Sequence, residues 1–105
     1  MNKYGAKKVK APDGQVFYST KEIQRYGVLR LLERAGKISG LRRQVPFELI
    51  PKQEGERACT YIADFAYTDE KGDLIVEDRK GFRTDAYKIK RKLMLWVHGI
   101  KIKET

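Results

Sequence analysis

The run "YIADFAYTDEKGDLIVEDRKG", Tyr61 to Gly81, constrains the fold more than any other part of the chain. Strand-forming residues flank "TDEKGD", and the connection Glu70, Lys71 and Gly72 fits a type I turn closed by a glycine in the left-handed region. Such a turn fixes the register of a hairpin. Asp69 lies opposite Asp73, every later pair sums to the same index, and Asp64 falls across from Asp78. Opposed residues share a face, with Cβ atoms about 4.5 to 5.5 Å apart. Alternation adds Lys80 to that face and sends Glu77 and Arg79 to the other. A four-residue turn would instead align Asp64 with Glu77.

Two carboxylates at that separation repel and raise each other's proton affinity unless a cation lies between them. Mg²⁺ suits such a pair, because it takes one or two protein carboxylates, keeps several waters and accepts phosphate oxygens. Lys80 beside them has the chemistry to position or deprotonate a water, or to stabilise charge developing at phosphorus. The competing reading is ordinary surface charge, since acids and lysines are common on the solvent face of an antiparallel sheet. Pattern alone leaves both open.

Upstream, "APDGQVFYST" reads as a turn at Pro12 to Gly14 and a strand over Val16 to Tyr18. Ser19 and Glu22 then have capping-box spacing, which accounts for Glu22 without any catalytic role. The helix they open runs to about Ala35, with Ile23, Gly27, Val28, Leu31, Leu32 and Ala35 as its apolar stripe and Gly36 as its stop. Gly27 on that stripe would allow close approach to a sheet. Three extended runs follow, punctuated by Pro46, Pro51, Gly55 and Gly72. A second helix is expected from Thr84 to near Gly99, turning Ala86, Ile89, Leu93 and Trp96 inward and Tyr87, Lys88 and Arg91 outward. "IKIKE" supplies a closing strand, and His98 reads as a helix C-terminal residue. The order is that of an α+β or three-layer α/β unit.

With 105 residues the chain holds one domain, 1–105, in which residues 1–11 form a flexible basic arm, either a solubilising tail or a contact for phosphates. Lys and Arg number 23 against 14 Asp and Glu, and the net charge of +9 favours a polyanionic partner, nucleic acid before an anionic membrane. Neither helix combines a basic face with an uninterrupted bulky apolar one, which argues against a membrane surface. Cys59 is alone, and no run approaches the roughly 20 apolar residues of a membrane span, so a cytoplasmic protein is expected.

An acid in "YIADF", a hairpin, then "VEDRKG" resembles the PD-(D/E)xK nuclease motif, and the glutamate helix "STKEIQRY" is similar to that of phage endonuclease I and the Holliday-junction resolvases. Nearly the whole chain, including "NKYGAKK" and "TDAYKIKRKL", is similar to a small phage and prophage endonuclease family. The resemblance implies a restriction-endonuclease-like core, a mixed β-sheet flanked by helices. It implies Mg²⁺ or Mn²⁺ held by Asp64 and Asp78 with Glu22 as accessory ligand, Lys80 as the water-positioning group, and hydrolysis of DNA, branched or junction DNA foremost. Lys88 and Arg91 would hold the phosphate backbone, helped by Lys7 and Lys8. A homodimer is expected, with Tyr87, Met94 and Leu95 as exposed apolar candidates for its surface. The alternative is a non-catalytic DNA-binding accessory protein on the same scaffold. Two positions depart from the pattern: Ala63 replaces the usual proline, and Asp78 the usual glutamate, which keeps Glu77 as a contender.

Overall fold

The computed structural model of the protein describes residues 9–10, 15–17, 19–79 and 83–105. Its central hairpin joins β4 (Cys59–Thr68) to β5 (Leu74–Asp78). The register runs Thr68↔Leu74, Tyr67↔Ile75, Ala66↔Val76 and Phe65↔Glu77, that of the three-residue connection, so Asp64 does not align with Glu77. Gly72 takes φ 87°, a conformation that glycine adopts without steric cost. The Asp69 carboxylate accepts from the amides of Lys71 at 3.0 Å and Asp73 at 2.9 Å, closing the turn from within.

β3 (Ser39–Ile50) pairs antiparallel with β4, and β6 (Lys103–Glu104) pairs parallel with β5, giving a mixed sheet in the order β3-β4-β5-β6. Pro46, expected to interrupt an extended run, lies inside β3. β3 is an edge strand, where a missing backbone donor is tolerated. β1 (Val9–Lys10) and β2 (Val16–Phe17) form a separate antiparallel pair, so Val9 and Lys10 of the expected arm are tied to the strand before the first helix. The turn expected at Pro12 to Gly14 lies outside the described residues.

Helix α1 (Thr20–Arg34) starts where Ser19 accepts from the Glu22 amide, and α2 (Asp85–His98) starts where Thr84 accepts from the Tyr87 amide and stops at left-handed Gly99. The helices cover opposite sheet faces. Leu29, Ile38, Phe65 and Tyr67 form one core with Tyr26 and Leu32 of α1, and Ala66, Val76, Tyr61, Ala63, Val45 and Leu49 form the other with Tyr87 and Met94 of α2.

The inward sides of both helices are rotated from the expected ones, with Leu32 and Leu93 packed against the cores as expected but most of each stripe outside. On α1 the buried positions are Glu22 and Leu29, flanked by Arg25 and Tyr26, while Leu31 is 64% exposed and Gly27 has nothing near its missing Cβ. On α2 Tyr87 and Met94 are buried, whereas Ile89 and Trp96 stand outward, Trp96 at 84% exposure. Tyr87 and Met94 are therefore unavailable as a dimer surface. The physical reason is common to both helices: each buried side includes polar or amphipathic groups, so the apolar count misplaced the stripe. Glu22 is buried and Arg25 half-buried, each with an ion-pair partner, and Tyr87 sinks its ring while its hydroxyl donates to Glu104 at 2.7 Å.

This orientation predicts that Met94→Ala destabilises the fold by about 2 to 5 kcal/mol, whereas Trp96→Ser stays within about 0.5 kcal/mol. Urea unfolding of the two variants measures the difference, and the reverse order would turn α2 over.

Candidate functional site

Asp64 and Asp78 occupy facing positions at the end of the β4–β5 ladder, one step beyond Phe65↔Glu77. β3 runs alongside with Arg43↔Phe65 and Val45↔Ala63, which sets Gln44 opposite Asp64 on the other flank. Both strands change their allegiance at this point. Phe65 packs in the α1 core and Ala63 in the α2 core, although residues two apart on a regular strand share a face. Gln44 takes φ 51° at the inflection, the only positive φ of a non-glycine among the described residues. Such a conformation costs of order 1 to 3 kcal/mol and persists where its surroundings enforce it.

The inflection brings acids from different elements together. The Gln44 side-chain amide donates to Glu22 Oε1 at 3.2 Å and makes a longer contact of 3.5 Å with Asp64 Oδ1. Asp64 Oδ2 accepts from the backbone amide of Arg79 at 2.8 Å, and the Tyr61 hydroxyl donates to Asp78 Oδ2 at 2.5 Å. Arg43 approaches Glu22 at 3.4 Å while its guanidinium covers the Phe17 ring at 3.7 Å and bonds the Val16 carbonyl, which holds β2 over the helix start.

Burial raises the pKa of Asp64 first, the hydrogen bond and charge of Asp78 add to it, and the Arg79 amide only partly offsets them, so the carboxyl is pushed up to about 8. Burial and the Asp78 hydrogen bond likewise push the Tyr61 phenol up. Asp64 thus holds a proton readily beside the Asp78 carboxylate. Glu22 belongs to the group through Gln44 and adds a smaller upward push on Asp64. Among the described residues no three His, Cys, Asp or Glu side chains are grouped to hold a metal ion.

Glu77 has a different role. It lies on the α1 face, fully buried, and receives both Arg25 Nε at 2.8 Å and Arg25 Nη2 at 2.7 Å, with Tyr67 donating to it and Lys103 at 3.9 Å. Burial alone would raise its pKa, but Arg25 and the Tyr67 hydroxyl reverse that and hold it below the ordinary carboxylate range. Its bonds are structural and point away from Asp64.

Of the other residues expected at the site, Lys88 is exposed on α2. Arg91 instead bonds Glu104 at 3.3 Å and lies over the Tyr87 ring at 5.8 Å. Lys7, Lys8 and Lys80 lie outside the described residues. His98 contacts the Glu48 carbonyl and the edge of Phe47, a structural placement at the helix end. Tyr61, Gln44 and the Arg79 amide went unrecognised in the sequence. Tyr61 carried a faint signal, three residues before the acid, but strict alternation puts it on the wrong face.

Two helices on opposite faces of a mixed four-stranded sheet, with an aspartate pair across its two central strands, define an α+β protein with a buried acidic site. The chain belongs to the family described as protein of unknown function (DUF1064), whose model matches residues 1–103. No curated protein and no solved structure matches it. Among the described residues no helix is long and apolar enough to cross a membrane.

The raised pKa of Asp64 predicts a pH dependence with a definite sign. The unfolded chain releases this proton near its ordinary 3.8 and the folded chain near 8. Folded protein therefore holds the extra proton between those values. The contribution is complete below the unfolded pKa and is lost as pH rises through the folded one. Without divalent metal, stability should fall from about pH 5 to pH 8.5, and Asp64→Asn should flatten the fall. Urea midpoints across that range in EDTA measure it, and an identical slope in the variant would remove Asp64 as its source. Arg25→Ala leaves Glu77 buried without its main partner and should cost about 3 to 5 kcal/mol.

Proposed function

We propose that the protein is a Mg²⁺-dependent DNA endonuclease of the PD-(D/E)xK type, acting on branched or junction DNA. The observation that carries this reading is the Asp64/Asp78 pair, two carboxylates facing each other across central strands, with the proton affinity of Asp64 raised by burial and by Asp78 beside it. Two hard oxygen donors suit Mg²⁺ or Mn²⁺, which need no more than one or two protein carboxylates. The layout of two helices on a mixed sheet agrees with the nuclease core, and the +9 charge suits a polyanionic substrate.

Asp64 and Asp78 would hold the cation, whose chemistry there would be to neutralise charge at the scissile phosphate and to make a nearby water more acidic. The Arg79 amide fixes one oxygen of Asp64 and the Tyr61 hydroxyl one oxygen of Asp78, so both carboxylates are oriented beforehand. Gln44 sets Glu22 at the margin of the pair, where it can act through water. Lys80, two residues beyond Asp78, takes the water-positioning role, and Lys88 with Lys7 and Lys8 contacts the backbone. Arg91 joins them by exchanging Glu104 for a phosphate. Cutting both strands of a two-fold substrate requires two sites, so the reading includes a symmetric homodimer.

Labelled linear, nicked and four-way-junction DNA incubated with Mg²⁺ test the proposal. Cleavage should require the metal, favour the junction and fall by roughly 10²-fold or more in Asp64→Asn and Asp78→Asn. Mg²⁺ should also raise the melting temperature of the wild type at pH 8 and leave that of Asp64→Asn unchanged. DNA binding with no cleavage under any divalent metal would replace the enzyme with a DNA-binding accessory protein.

A further inference from the structure

A cleft of about 280 Å³ is lined by Lys21, Gln24, Arg25, Val28, Arg79 and Thr105. Its walls are the immediate neighbours of the acids. Lys21 precedes Glu22, Arg79 follows Asp78 and gives its amide to Asp64, and the Thr105 amide donates to the Asp78 carbonyl at 3.0 Å. Arg25 is committed to Glu77. The head groups of Lys21 and Arg79 are not: neither has a hydrogen-bond or ion-pair partner among the described residues. The Thr105 hydroxyl is buried and has no partner either.

Two uncommitted cations in one concavity make a poor structural feature, because two like charges in one cleft gain nothing from each other. An anion with several acceptor oxygens resolves the conflict. A phosphate has that chemistry, with Arg79 able to present a fork, Lys21 a point charge, and Gln24 a neutral donor. Val28, 46% exposed at the cleft, offers apolar surface for the sugar beside such a phosphate.

We infer that this cleft is a phosphate subsite that holds a backbone phosphodiester of the DNA next to the one facing Asp64 and Asp78. The inference rests on reading the protein as one that handles DNA, and it adds the surface that seats the strand. The cleft is built on α1, whereas Lys88 stands on α2, which covers the other sheet face, so the two contribute to affinity independently. Because Arg79 and Asp64 are joined through the Arg79 backbone, a phosphate held by the guanidinium fixes the strand relative to the acid pair.

Binding in EDTA isolates the subsite from cleavage. Fluorescence anisotropy with labelled DNA should show an affinity about tenfold or more lower for Lys21→Gln/Arg79→Gln than for wild type. The log-log salt slope should be shallower by roughly 1.4 to 1.8 for two lost phosphate contacts. The control Lys52→Gln/Lys71→Gln removes the same charge from exposed positions and should change affinity less than twofold. Equal losses in the two double variants would reduce the effect to net charge and overturn the subsite. Inorganic phosphate followed by amide NMR forms the second arm. Shifts at Arg79 and Thr105 together with an unchanged DNA affinity in Lys21→Gln/Arg79→Gln would make the cleft a site for free anions and also overturn the inference. The proposed activity fails separately: cleavage that needs Asp64, with DNA binding unaffected by the double variant, keeps the nuclease and removes the subsite. Binding lost in the double variant without any cleavage in wild type does the reverse.

Discussion

The buried ion pair of Arg25 with Glu77 is the contact on which the rest of the arrangement depends. Glu77 is fully enclosed, and its partners come from α1, β4 and β6, so one carboxylate ties three elements together. A two-point Arg–carboxylate contact fixes direction as well as distance. Glu22 lies three residues before Arg25, on the same side of the helix. Once Arg25 is locked onto Glu77, Glu22 is delivered to Gln44 at the end of the acid pair. The pair's value lies in placement. Its desolvation cost makes it weak as a source of net stability, while its geometry admits only one position of α1.

The second constraint is the inflection at Gln44 and Asp64. A regular ribbon would commit each strand's odd and even residues to one helix apiece. Here Arg43 and Phe65 serve the α1 side, and Val45 and Ala63 serve the α2 side. A short chain thereby uses two long strands to build parts of two cores. Gln44 and Asp64, at the changeover, belong fully to neither core, and Asp64 is only half-buried. That explains how an acid can interrupt the apolar run "YIADFAY" without wrecking the sheet. Its backbone stays in the ladder while its side chain meets groups from β3, β5 and the segment after β5.

Much of this was legible in the sequence because it is local. The turn chemistry of Asp69 to Asp73 determined the register, and the register determined that Asp64 faces Asp78. Ser19, Thr84 and Gly99 marked the helix ends. What stayed hidden depends on contacts distant in sequence. Gln44 reaches Asp64 only because β3 pairs with β4 across the intervening segment 51–58, with register shifts near both ends of β3 that no local rule supplies. The inward sides of the helices were misread for a related reason. Arg25 and Glu22 count as polar in a periodicity, yet their partners 52 and 21 residues away draw them inside. Ile89 and Trp96, apolar at helical spacing, are left outside because Tyr87 and Met94 already fill the space above Tyr61 and Val76.

Two acids on the paired strands β4 and β5 show what the fold can do with a buried acid and what it declines to do. Glu77 is given a guanidinium, a phenol and a nearby ammonium, and its pKa falls below the ordinary range. Across from Asp78, Asp64 is given the backbone amide of Arg79 and the side-chain amide of Gln44, neither of which carries charge, and its pKa rises. Arg79 makes the contrast sharper. It donates its amide to Asp64 while its guanidinium, which could have neutralised that acid, lines the neighbouring cleft. In a chain with 23 basic residues, cations are not scarce. Electrostatic stress kept at one site and relieved at its neighbour is the pattern expected where the missing charge arrives with a ligand. On the proposed reading the acid pair and the cleft are complementary: one would take positive charge, the other negative, and a metal-bearing phosphate strand laid across both would bring the two together.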